Sequence, residues 1–310
     1  NPTTLINVAG KPILGHIVDA LIDAGVESFV FVIGYMGEKV KNYVNETYTD
    51  LEKDFVVQNS RQGIAHAILA SRDLIKDEDE ILISLGDTII ELNLPELLNS
   101  PTSVIGTKKV EDPRNFGVVE ALDDRRITRV VEKPGIPKSN QGIVGIYKIK
   151  ELQQLLEAIE YNVENNIRTR GELHLTDALM RMIEQGTTMK AFPIENWFDC
   201  GKKDNLIETN QVLLRRPGNS SIKSKCKNSI IIEPVSIAAD CEINNSIIGP
   251  YVSIGEKAVM NNAILNNSII GPYARIENVL LKNSILGADS ALKGVFQSLN
   301  IGDSTEINSE

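Results

Sequence analysis

The sequence predicts an α/β domain with a mostly parallel sheet, followed by a parallel β-helix. Two patterns carry this prediction. Short β-branched segments alternate with helical patterns up to about residue 210, and a short repeat rich in Ile-Gly-Pro fills most of the remainder. An Arg-Arg-Pro-Gly segment at 215–218 separates them, so we predict domains over residues 1–218 and 219–310. A chain of 310 residues is long enough to give each domain a core.

The elements of the first domain alternate regularly. Helical patterns end near residues 25, 48 and 74, and compact apolar strands are predicted at 28–33, 54–58 and 80–85. Short apolar strands separated by helices favour a parallel sheet covered on both faces. Ligands of such sheets bind at the carboxyl ends of the strands, and this rule directs attention to Gln58 and Asp87.

The second domain contains an internal repeat. Residues 245–254 and 267–276 are near copies that lie 22 positions apart, and aliphatic residues recur about every six positions. Such repeats predict stacked coils of a parallel β-helix over 228–292, against the alternative of an antiparallel domain with incidental turns. The inward-facing residues should be Ile237, Ile243, Ile248, Ile254, Ile270 and Ile276. Because the open ends of a solenoid expose strand edges, we expect a homo-oligomer to which the β-helix contributes.

Composition narrows the possible partners. Asp plus Glu total 42 against 32 for Lys plus Arg, a formal net charge of −10, which disfavours binding to nucleic acid or to an anionic membrane. No apolar run approaches the roughly 20 residues that span a bilayer, and no signal-peptide pattern opens the chain. The three cysteines are too few and too scattered for a disulfide framework or a zinc site, so we expect a cytoplasmic protein.

Seven short motifs follow one another along the first domain. They occupy residues 2–12, 58–68, 85–87, 116–120 with 131–134, 145–147, 171–177 and 197–201. In this order they resemble the sugar-1-phosphate nucleotidyltransferases, the glucose-1-phosphate thymidylyltransferase-like enzymes in particular. The resemblance implies a Rossmann-like domain, release of pyrophosphate and a magnesium cofactor. The repeat of the second domain resembles the hexapeptide family, whose β-helices are left-handed.

The resemblance assigns roles to individual residues. Asp87 and Asp199 are expected to hold Mg²⁺, which commonly takes one or two carboxylates together with phosphates and waters. Gln58 would read a pyrimidine base through its amide, which carries both a donor and an acceptor, and Gly63 would let the backbone approach the base or ribose. Lys133 is expected to be catalytic together with the two aspartates. The remaining substrate contacts would come from Gly86, Gly117, Glu132, Lys133, Tyr147, Glu172 and Trp197.

Two of these roles rest on side-chain chemistry. The Glu132 carboxylate can bind sugar hydroxyls, and the Lys133 ammonium beside it can bind the sugar phosphate. Tyr147 would either close over the sugar or serve as a core tyrosine, and the sequence leaves both open.

The implied reaction needs no activated side-chain nucleophile. An oxygen of the sugar 1-phosphate attacks the α-phosphorus of the triphosphate, so catalysis reduces to alignment and charge neutralisation. Gln58 favours dTTP or UTP, and the resemblance favours glucose 1-phosphate. The alternatives are a non-catalytic regulatory or scaffold relative that binds nucleotide sugars and a mannose-1-phosphate guanylyltransferase. A bifunctional acetyltransferase is disfavoured, because no histidine follows His174.

The sequence departs from the family pattern at its start. The family begins with a strand and a glycine-rich loop that cradles the triphosphate, whereas this sequence enters the pattern at Pro2. Because that strand lies inside the sheet, its loss would leave two strand edges open, and we expect the natural protein to be longer. Thr3 stands where the resemblance implies a phosphate-binding lysine, and a hydroxyl cannot replace that charge.

Overall fold

The computed structural model describes residues 2–60, 62–201 and 203–294. The chain divides into two compact units. The first comprises the residues up to 6 together with 11–206, and the second comprises 7–10 and the residues from 207 onward. This division lies earlier in the chain than the boundary that the sequence predicts at 218/219, because the last helix of the first domain contributes its second half to the second unit.

Helices alternate with strands over the described residues up to 214. The helices are α1 (Ile13–Asp23), α2 (Gly37–Thr47), α3 (Ile64–Ala70), α4 (Arg72–Ile75), α5 (Leu94–Leu98), α6 (Leu152–Glu164), α7 (Leu175–Glu184) and α8 (Lys203–Leu214), with 3₁₀ turns at Thr3–Leu5 and Pro113–Asn115. The strands of this part of the chain are β1 (Asn7–Val8), β2 (Lys11–Pro12), β3 (Ser28–Ile33), β4 (Glu52–Val57), β5 (Ile81–Ser84), β6 (Thr88–Glu91), β7 (Ser103–Lys109), β8 (Gly117–Ala121), β9 (Ile127–Glu132), β10 (Gln141–Ile149), β11 (Met189–Pro193) and β12 (Asn196–Asp199).

The main sheet is organised around β10. This strand pairs antiparallel with β5, β7 and β8, while β11 pairs parallel with β7 and β9 pairs antiparallel with β8. It follows that β5, β7, β8 and β11 run in one direction and that β9 and β10 oppose them. The predicted α/β class with a mostly parallel sheet is confirmed. The reversed central strand is a feature that the sequence analysis did not anticipate.

A cleft separates this sheet from a second one. β3 and β4 form a parallel pair, and β3 makes no further strand pairing among the described residues. Its free edge lies across the cleft from β5. Two cavities of about 760 and 500 Å³ share this cleft. Both are lined by Val26, Ser28, Val30, Val32, Leu82 and Ser84.

Helices α6 and α7 close one face of the main sheet. Leu155 and Ile159 of α6 and Leu179 of α7 are fully buried and pack in one cluster with Ile105 of β7 and Ile149 of β10. Apolar residues three to four positions apart on each helix form the stripe that makes this contact. None of the helices that the structure describes is both long enough and apolar enough to cross a membrane.

The second unit is a β-solenoid of about four turns. Its strands are β13 (Ser221–Ile222), β14 (Cys226–Lys227), β15 (Ile230–Ile231), β16 (Val235–Ile237), β17 (Glu242–Asn244), β18 (Ile247–Ile248), β19 (Val252–Ile254), β20 (Val259–Asn266), β21 (Ile269–Ile270), β22 (Arg275–Lys282), β23 (Ile285–Leu286) and β24 (Ala291–Lys293). Successive coils pair in parallel, as β16, β19, β21 and β23 do. The predicted β-helix is confirmed, and its strands begin a few residues earlier than predicted.

The six predicted inward-facing isoleucines are all buried, with exposures of 2% or less. Ile237 stacks on Ile254, which stacks on Ile270, so a coil contains 16 or 17 residues. The near copies that lie 22 residues apart therefore do not stack on each other. Ile248 belongs to β18, whereas its counterpart Ile270 belongs to β21 on another face. From one copy to the next, the chain therefore advances by one full coil and by one further face of the solenoid.

Candidate active site

The pairing of β6 with β12 brings the two predicted metal-binding aspartates together. Asp199 ends β12 and lies opposite Thr88, and the backbone N–H of Cys200 donates to the carbonyl of Asp87 at 3.1 Å. The Thr88 hydroxyl donates to an Asp87 carboxylate oxygen at 3.3 Å, and the Gly201 N–H donates to Asp199 Oδ1 at 3.0 Å. Both aspartates line one cavity of about 270 Å³, which we call the phosphate cavity.

The donor set of this cavity suits a hard divalent cation. Carboxylate oxygens are hard ligands, and one or two of them suffice for a cation that also binds substrate phosphates and water. The described residues contain no group of three or more His, Cys, Asp or Glu side chains placed to hold a metal. A metal held by Asp87 and Asp199 would therefore take its other ligands from substrate and solvent.

Glu132 is the most constrained carboxylate of the phosphate cavity. Strand pairing places it opposite Gly117, and the Thr176 hydroxyl donates to its Oε2 at 3.1 Å. Its Oε1 lies 3.7 Å from His174 Nδ1 and 3.9 Å from Lys133 Nζ. The side chain is only 10% exposed, so Thr176 holds one oxygen of a largely desolvated acceptor, and the other oxygen lies near His174 and Lys133.

Gly117 makes this arrangement possible. A Cβ atom at this position would lie 3.1 Å from Glu132 Oε2 and 3.0 Å from the Thr176 methyl group. Both distances are tighter than ordinary van der Waals contact, so a larger residue would push the carboxylate away from the hydroxyl. The glycine that the sequence motif singles out therefore has a packing reason in addition to its predicted backbone contact with the sugar.

A bulge in β10 shapes one wall of the phosphate cavity. The pairing of β10 with β7 shifts register between Ile143 and Tyr147, and Gly145 within this interval has a φ of +86°. The Gly145 carbonyl accepts the N–H of Leu85 at 3.0 Å. The bulge therefore holds β10 against the segment that leads into Asp87, a location at which strand irregularities commonly occur.

Tyr147 and Trp197 complete the aromatic part of the cavity wall. Tyr147 is 4% exposed and belongs to the main core cluster, and its burial, reinforced by the charge of Glu132, raises the pKa of its phenol. Trp197 packs edge to face against Phe116 at 5.1 Å. Its Nε1 is buried without a hydrogen-bond partner among the described residues. A buried indole N–H normally finds an acceptor, so this donor is an exception among the described residues.

A second group of predicted residues lines the neighbouring cleft cavity of about 760 Å³. These residues are Gln58, Gly63, Gly86 and Glu172. Ile64 and Leu85 line both this cavity and the phosphate cavity, so the two meet at the carboxyl end of β5. We call the larger one the nucleotide cavity.

Gly63 allows two backbone segments of the nucleotide cavity to touch. Its φ is +100°, and a Cβ atom there would lie 2.3 Å from the Leu173 carbonyl oxygen. The adjacent Leu173 N–H donates to the Gln62 carbonyl at 2.8 Å. The close approach that a glycine permits is thus made, within the protein, to the segment that carries Glu172.

The Gln58 amide is held by two internal hydrogen bonds. Its Nε2 donates to the Gly63 carbonyl at 3.1 Å and lies 2.9 Å from His66 Nδ1. A carbonyl oxygen can only accept, so this contact identifies which side of the amide is nitrogen. The donor that the sequence analysis expected to face a base is therefore engaged within the protein, and Oε1 is the group left to accept from a ligand.

The structure gathers the predicted residues into two neighbouring sets and adds members that the sequence analysis missed. The phosphate cavity contains Asp87, Gly117, Glu132, Lys133, Tyr147, Trp197 and Asp199. His174 and Thr176 also line it, although Glu172 of the same motif was the expected contact there. The available signal was their two-residue spacing just before and within the first turn of a helix, a common location for groups that bind anions.

Carboxylates and a lysine thus line a cavity at the strand ends of an α/β unit, the place where proteins of this class bind their ligands. Residues 1–216 match the model of the Nucleotidyl transferase family, and residues 217–277 match the GlmU-like, C-terminal hexapeptide model. The chain belongs to the nucleotidyl transferase family and is a sugar nucleotidyltransferase. Members of the family take a nucleoside triphosphate and a sugar phosphate and generally use a divalent metal.

Several curated proteins are similar over most of the chain. The low-salt glycan biosynthesis nucleotidyltransferase Agl11 of Haloferax volcanii is 28% identical and covers 86% of this chain and 81% of its own length. The glucose-1-phosphate thymidylyltransferase of Streptomyces griseus is 28% identical, with coverages of 89% and 82%. The bifunctional protein GlmU of Methanocaldococcus jannaschii is 34% identical over 75% of this chain, but the match spans only 54% of that relative.

Solved structures support the fold over about two thirds of the chain. The UDP-glucose pyrophosphorylase from Acinetobacter baumanii superimposes with a TM-score of 0.58 at 20% identity, covering 70% of this chain and 87% of that one. A UDP-glucose pyrophosphorylase complexed with UDP-glucose gives a TM-score of 0.57 at 21% identity, with coverages of 68% and 89%. At this level of identity the likeness concerns the fold alone.

Proposed function

We propose that the protein transfers a nucleotidyl group from dTTP or UTP to glucose 1-phosphate, releasing pyrophosphate and forming a nucleotide sugar. The observation that carries the proposal is the phosphate cavity, which collects Asp87, Glu132, Lys133 and Asp199 from three segments of the first unit. Similarity to the glucose-1-phosphate thymidylyltransferases of Streptomyces griseus and Streptomyces antibioticus supports this choice of substrates.

The sugar phosphate would occupy the phosphate cavity. Glu132 accepts hydrogen bonds from sugar hydroxyls, and Thr176 holds the carboxylate in place for them. Lys133 would neutralise the sugar phosphate, since it lines the cavity and its side chain is 39% exposed. Gly117 contributes a backbone N–H, and Trp197 forms part of the cavity wall. Charged acceptors and donors of this kind are the groups that recognise polar ligands most strongly.

The transfer step would rely on alignment. A phosphate oxygen of the sugar 1-phosphate attacks the α-phosphorus, the bond to the β-phosphate bridging oxygen breaks, and pyrophosphate leaves with its electron pair. Asp87 and Asp199 would hold Mg²⁺, which when bound neutralises charge on the phosphates. Lys133 adds positive charge on the side of the attacking oxygen, and the cavity walls keep the attacking oxygen aligned with the α-phosphorus.

The orientation of Gln58 supports a preference among bases. Its Oε1 can accept the imino N–H of uracil or thymine, whereas cytosine carries no hydrogen on the corresponding ring nitrogen. His66 stabilises this orientation, because its Nδ1 accepts a hydrogen bond from Nε2 of Gln58. The ring hydrogen of His66 is then on the other ring nitrogen, its own Nε2. A guanine imino N–H could also donate to the same oxygen, so the size of the nucleotide cavity and of the sugar site must separate pyrimidine from guanine nucleotides.

The cleft between β3 and β5 adjoins the nucleotide cavity, and its lining by Val30, Val32 and Leu82 is largely apolar. Thr3 is exposed, and its hydroxyl supplies no positive charge to a triphosphate. Activity assays therefore include a Thr3→Lys arm.

A panel of substrates tests the proposed function. Pyrophosphate release is measured with dTTP, UTP, GTP, CTP and ATP against glucose 1-phosphate, mannose 1-phosphate and N-acetylglucosamine 1-phosphate in the presence of Mg²⁺. We expect the highest kcat/KM for dTTP or UTP with glucose 1-phosphate. A preference for GTP with mannose 1-phosphate would show that these, and not dTTP or UTP with glucose 1-phosphate, are the substrates. Binding of nucleotide sugar without any turnover would favour a regulatory relative.

Glu132 is expected to govern the affinity for the sugar phosphate. Glu132→Gln should raise the KM for the sugar 1-phosphate by roughly 10- to 100-fold, because each hydrogen bond to a buried charged group contributes about 1.5–3 kcal/mol. The KM for the nucleotide should change little. Glu120→Gln on the same β8–β9 hairpin lies outside the phosphate cavity and serves as the matched control. Equal KM values for Glu132→Gln and the control would show that Glu132 does not contact the sugar.

A further inference from the structure

One oxygen of the Glu132 carboxylate has no hydrogen bond of its own. Oε2 accepts from the Thr176 hydroxyl, whereas Oε1 receives no hydrogen bond from the residues that the structure describes. The nitrogens of two neighbours face Oε1, His174 Nδ1 at 3.7 Å and Lys133 Nζ at 3.9 Å. Because an unpaired acceptor on a largely buried carboxylate is unfavourable, one of these two groups is expected to serve as its donor.

His174 is held in place by the segment that leads into α7. Its backbone is extended, and Leu173 and Leu175 on either side of it are 2% and 1% exposed. The Leu173 N–H donates to the Gln62 carbonyl at 2.8 Å, and the Leu173 carbonyl accepts from the Ala65 N–H at 3.2 Å. The two buried leucines anchor this segment, and His174 between them lines the phosphate cavity with a side chain that is only 12% exposed.

Lys133 is the less suitable donor for Oε1. Its side chain is 39% exposed, and its ammonium ends a flexible four-carbon stem. The proposed contact of Lys133 with the sugar phosphate also requires that the ammonium be free to move toward the ligand. The His174 ring has only two side-chain torsions and starts from a fixed backbone, so it can hold a hydrogen bond to the carboxylate at a smaller entropic cost.

The start of α7 thus presents one side chain to each oxygen of Glu132. Thr176 holds Oε2 at 3.1 Å, and His174, two residues earlier, faces Oε1. Hydrogen bonds in unliganded sites are often long and shorten when the substrate binds. A shift of about 0.5–1 Å would bring Nδ1 within hydrogen-bonding distance of Oε1.

We infer that His174 is a positioning residue for Glu132, with a hydrogen on Nδ1 that is directed at Oε1. Together with Thr176 it fixes the plane of the carboxylate, which then accepts hydrogen bonds from the sugar hydroxyls. The inference rests on the proposed function for the identity of the ligand, but the hydrogen on Nδ1 is a property of the free protein. His66 differs, because its Nδ1 is an acceptor for Gln58.

The first test reads the ring hydrogens without any substrate. The chain contains three histidines, His16, His66 and His174, so selective ¹⁵N labelling gives few NMR signals, and the variant His174→Asn assigns those of His174 by their loss. We expect a hydrogen on Nδ1 of His174 and a change in the Nδ1 chemical shift in Glu132→Gln. An Nδ1 without hydrogen, or a shift that is the same in Glu132→Gln, would overturn the proposal.

The second test separates the two ring nitrogens by substitution. His174→Leu should raise the KM for the sugar 1-phosphate roughly tenfold and leave kcat and the KM for the nucleotide nearly unchanged. His174→Asn, whose amide nitrogen can occupy the position of Nδ1, should restore most of the affinity. His174→Gln, whose amide nitrogen reaches the position of Nε2, should not. Rescue by Gln and not by Asn would overturn the proposal, and thermal unfolding establishes that the variants remain folded.

A double variant tests whether His174 acts through Glu132. In the Glu132→Gln background, His174→Leu should change the KM for the sugar 1-phosphate less than about twofold, because the group that it positions is already altered. A full tenfold effect in that background would show that His174 contacts the ligand directly or acts elsewhere. Calorimetry with glucose 1-phosphate separates the two proposals. Absence of binding to the wild-type protein would refute the proposed substrate, while the ring hydrogen of His174 still decides its contact with Glu132.

Discussion

Replacing Asp87 by Asn is expected to lower kcat by about 100-fold or more, on the scale seen when a single group that stabilises transition-state charge is removed. The amide keeps the shape of the side chain but cannot neutralise a divalent cation. Asp199→Asn should have a comparable effect, because the pairing of β6 with β12 places both carboxylates in the same cavity. Both variants should also need a higher Mg²⁺ concentration for half-maximal activity.

Asp73→Asn provides the control for these variants. The Asp73 side chain is 94% exposed and lies outside the phosphate cavity, so its loss should change neither kcat nor the Mg²⁺ dependence. If Asp87→Asn and Asp199→Asn behaved like this control, the two aspartates would not be the metal ligands, and another set of carboxylates would have to be sought.

Gly63→Ala is expected to have the largest effect on the nucleotide cavity. A methyl group there would lie 2.3 Å from the Leu173 carbonyl, in a backbone conformation of φ +100° that L residues rarely adopt. The segments carrying Gln58 and Glu172 would have to separate. We expect a loss of stability on the order of 2–4 kcal/mol and a raised KM for the nucleoside triphosphate, measured by thermal unfolding and steady-state kinetics.

Gly186→Ala separates strain from steric contact. Gly186 has the same φ of +100°, but a Cβ atom there would meet nothing within 4 Å. This variant should lose only about 1 kcal/mol of stability and leave the KM for the nucleotide unchanged. A loss of the same size in both variants would show that backbone strain, and not the contact with Leu173, explains the need for Gly63.

The β-helix was predictable because its periodicity is local. Each inward residue, such as Ile237 or Ile254, is fixed by its position within a coil, so spacing along the sequence reports burial directly. The length of a coil was harder to predict from the sequence. The most similar copies lie 22 residues apart, whereas stacked residues such as Ile254 and Ile270 are set by backbone pairing between neighbouring coils.

The first unit was predictable in class but not in detail. The reversed direction of β10 depends on pairings with β5, β7 and β8 that join distant parts of the chain, and no local pattern encodes them. The same holds for the site. The motifs predicted roles for Asp87, Glu132 and Asp199, whereas the internal hydrogen bonds of Gln58 and the contact of Thr176 with Glu132 arise only when separate segments meet.

The fate of a labelled phosphate tests the proposed reaction most directly. The protein is incubated with glucose 1-phosphate, Mg²⁺ and dTTP labelled either at the α- or at the γ-phosphate. Transfer at the α-phosphorus predicts that the α-label appears in a nucleotide sugar and the γ-label in pyrophosphate, in equal amounts. Release of the γ-label as inorganic phosphate, or retention of both labels in dTTP, would contradict the assignment of this cavity to nucleotidyl transfer.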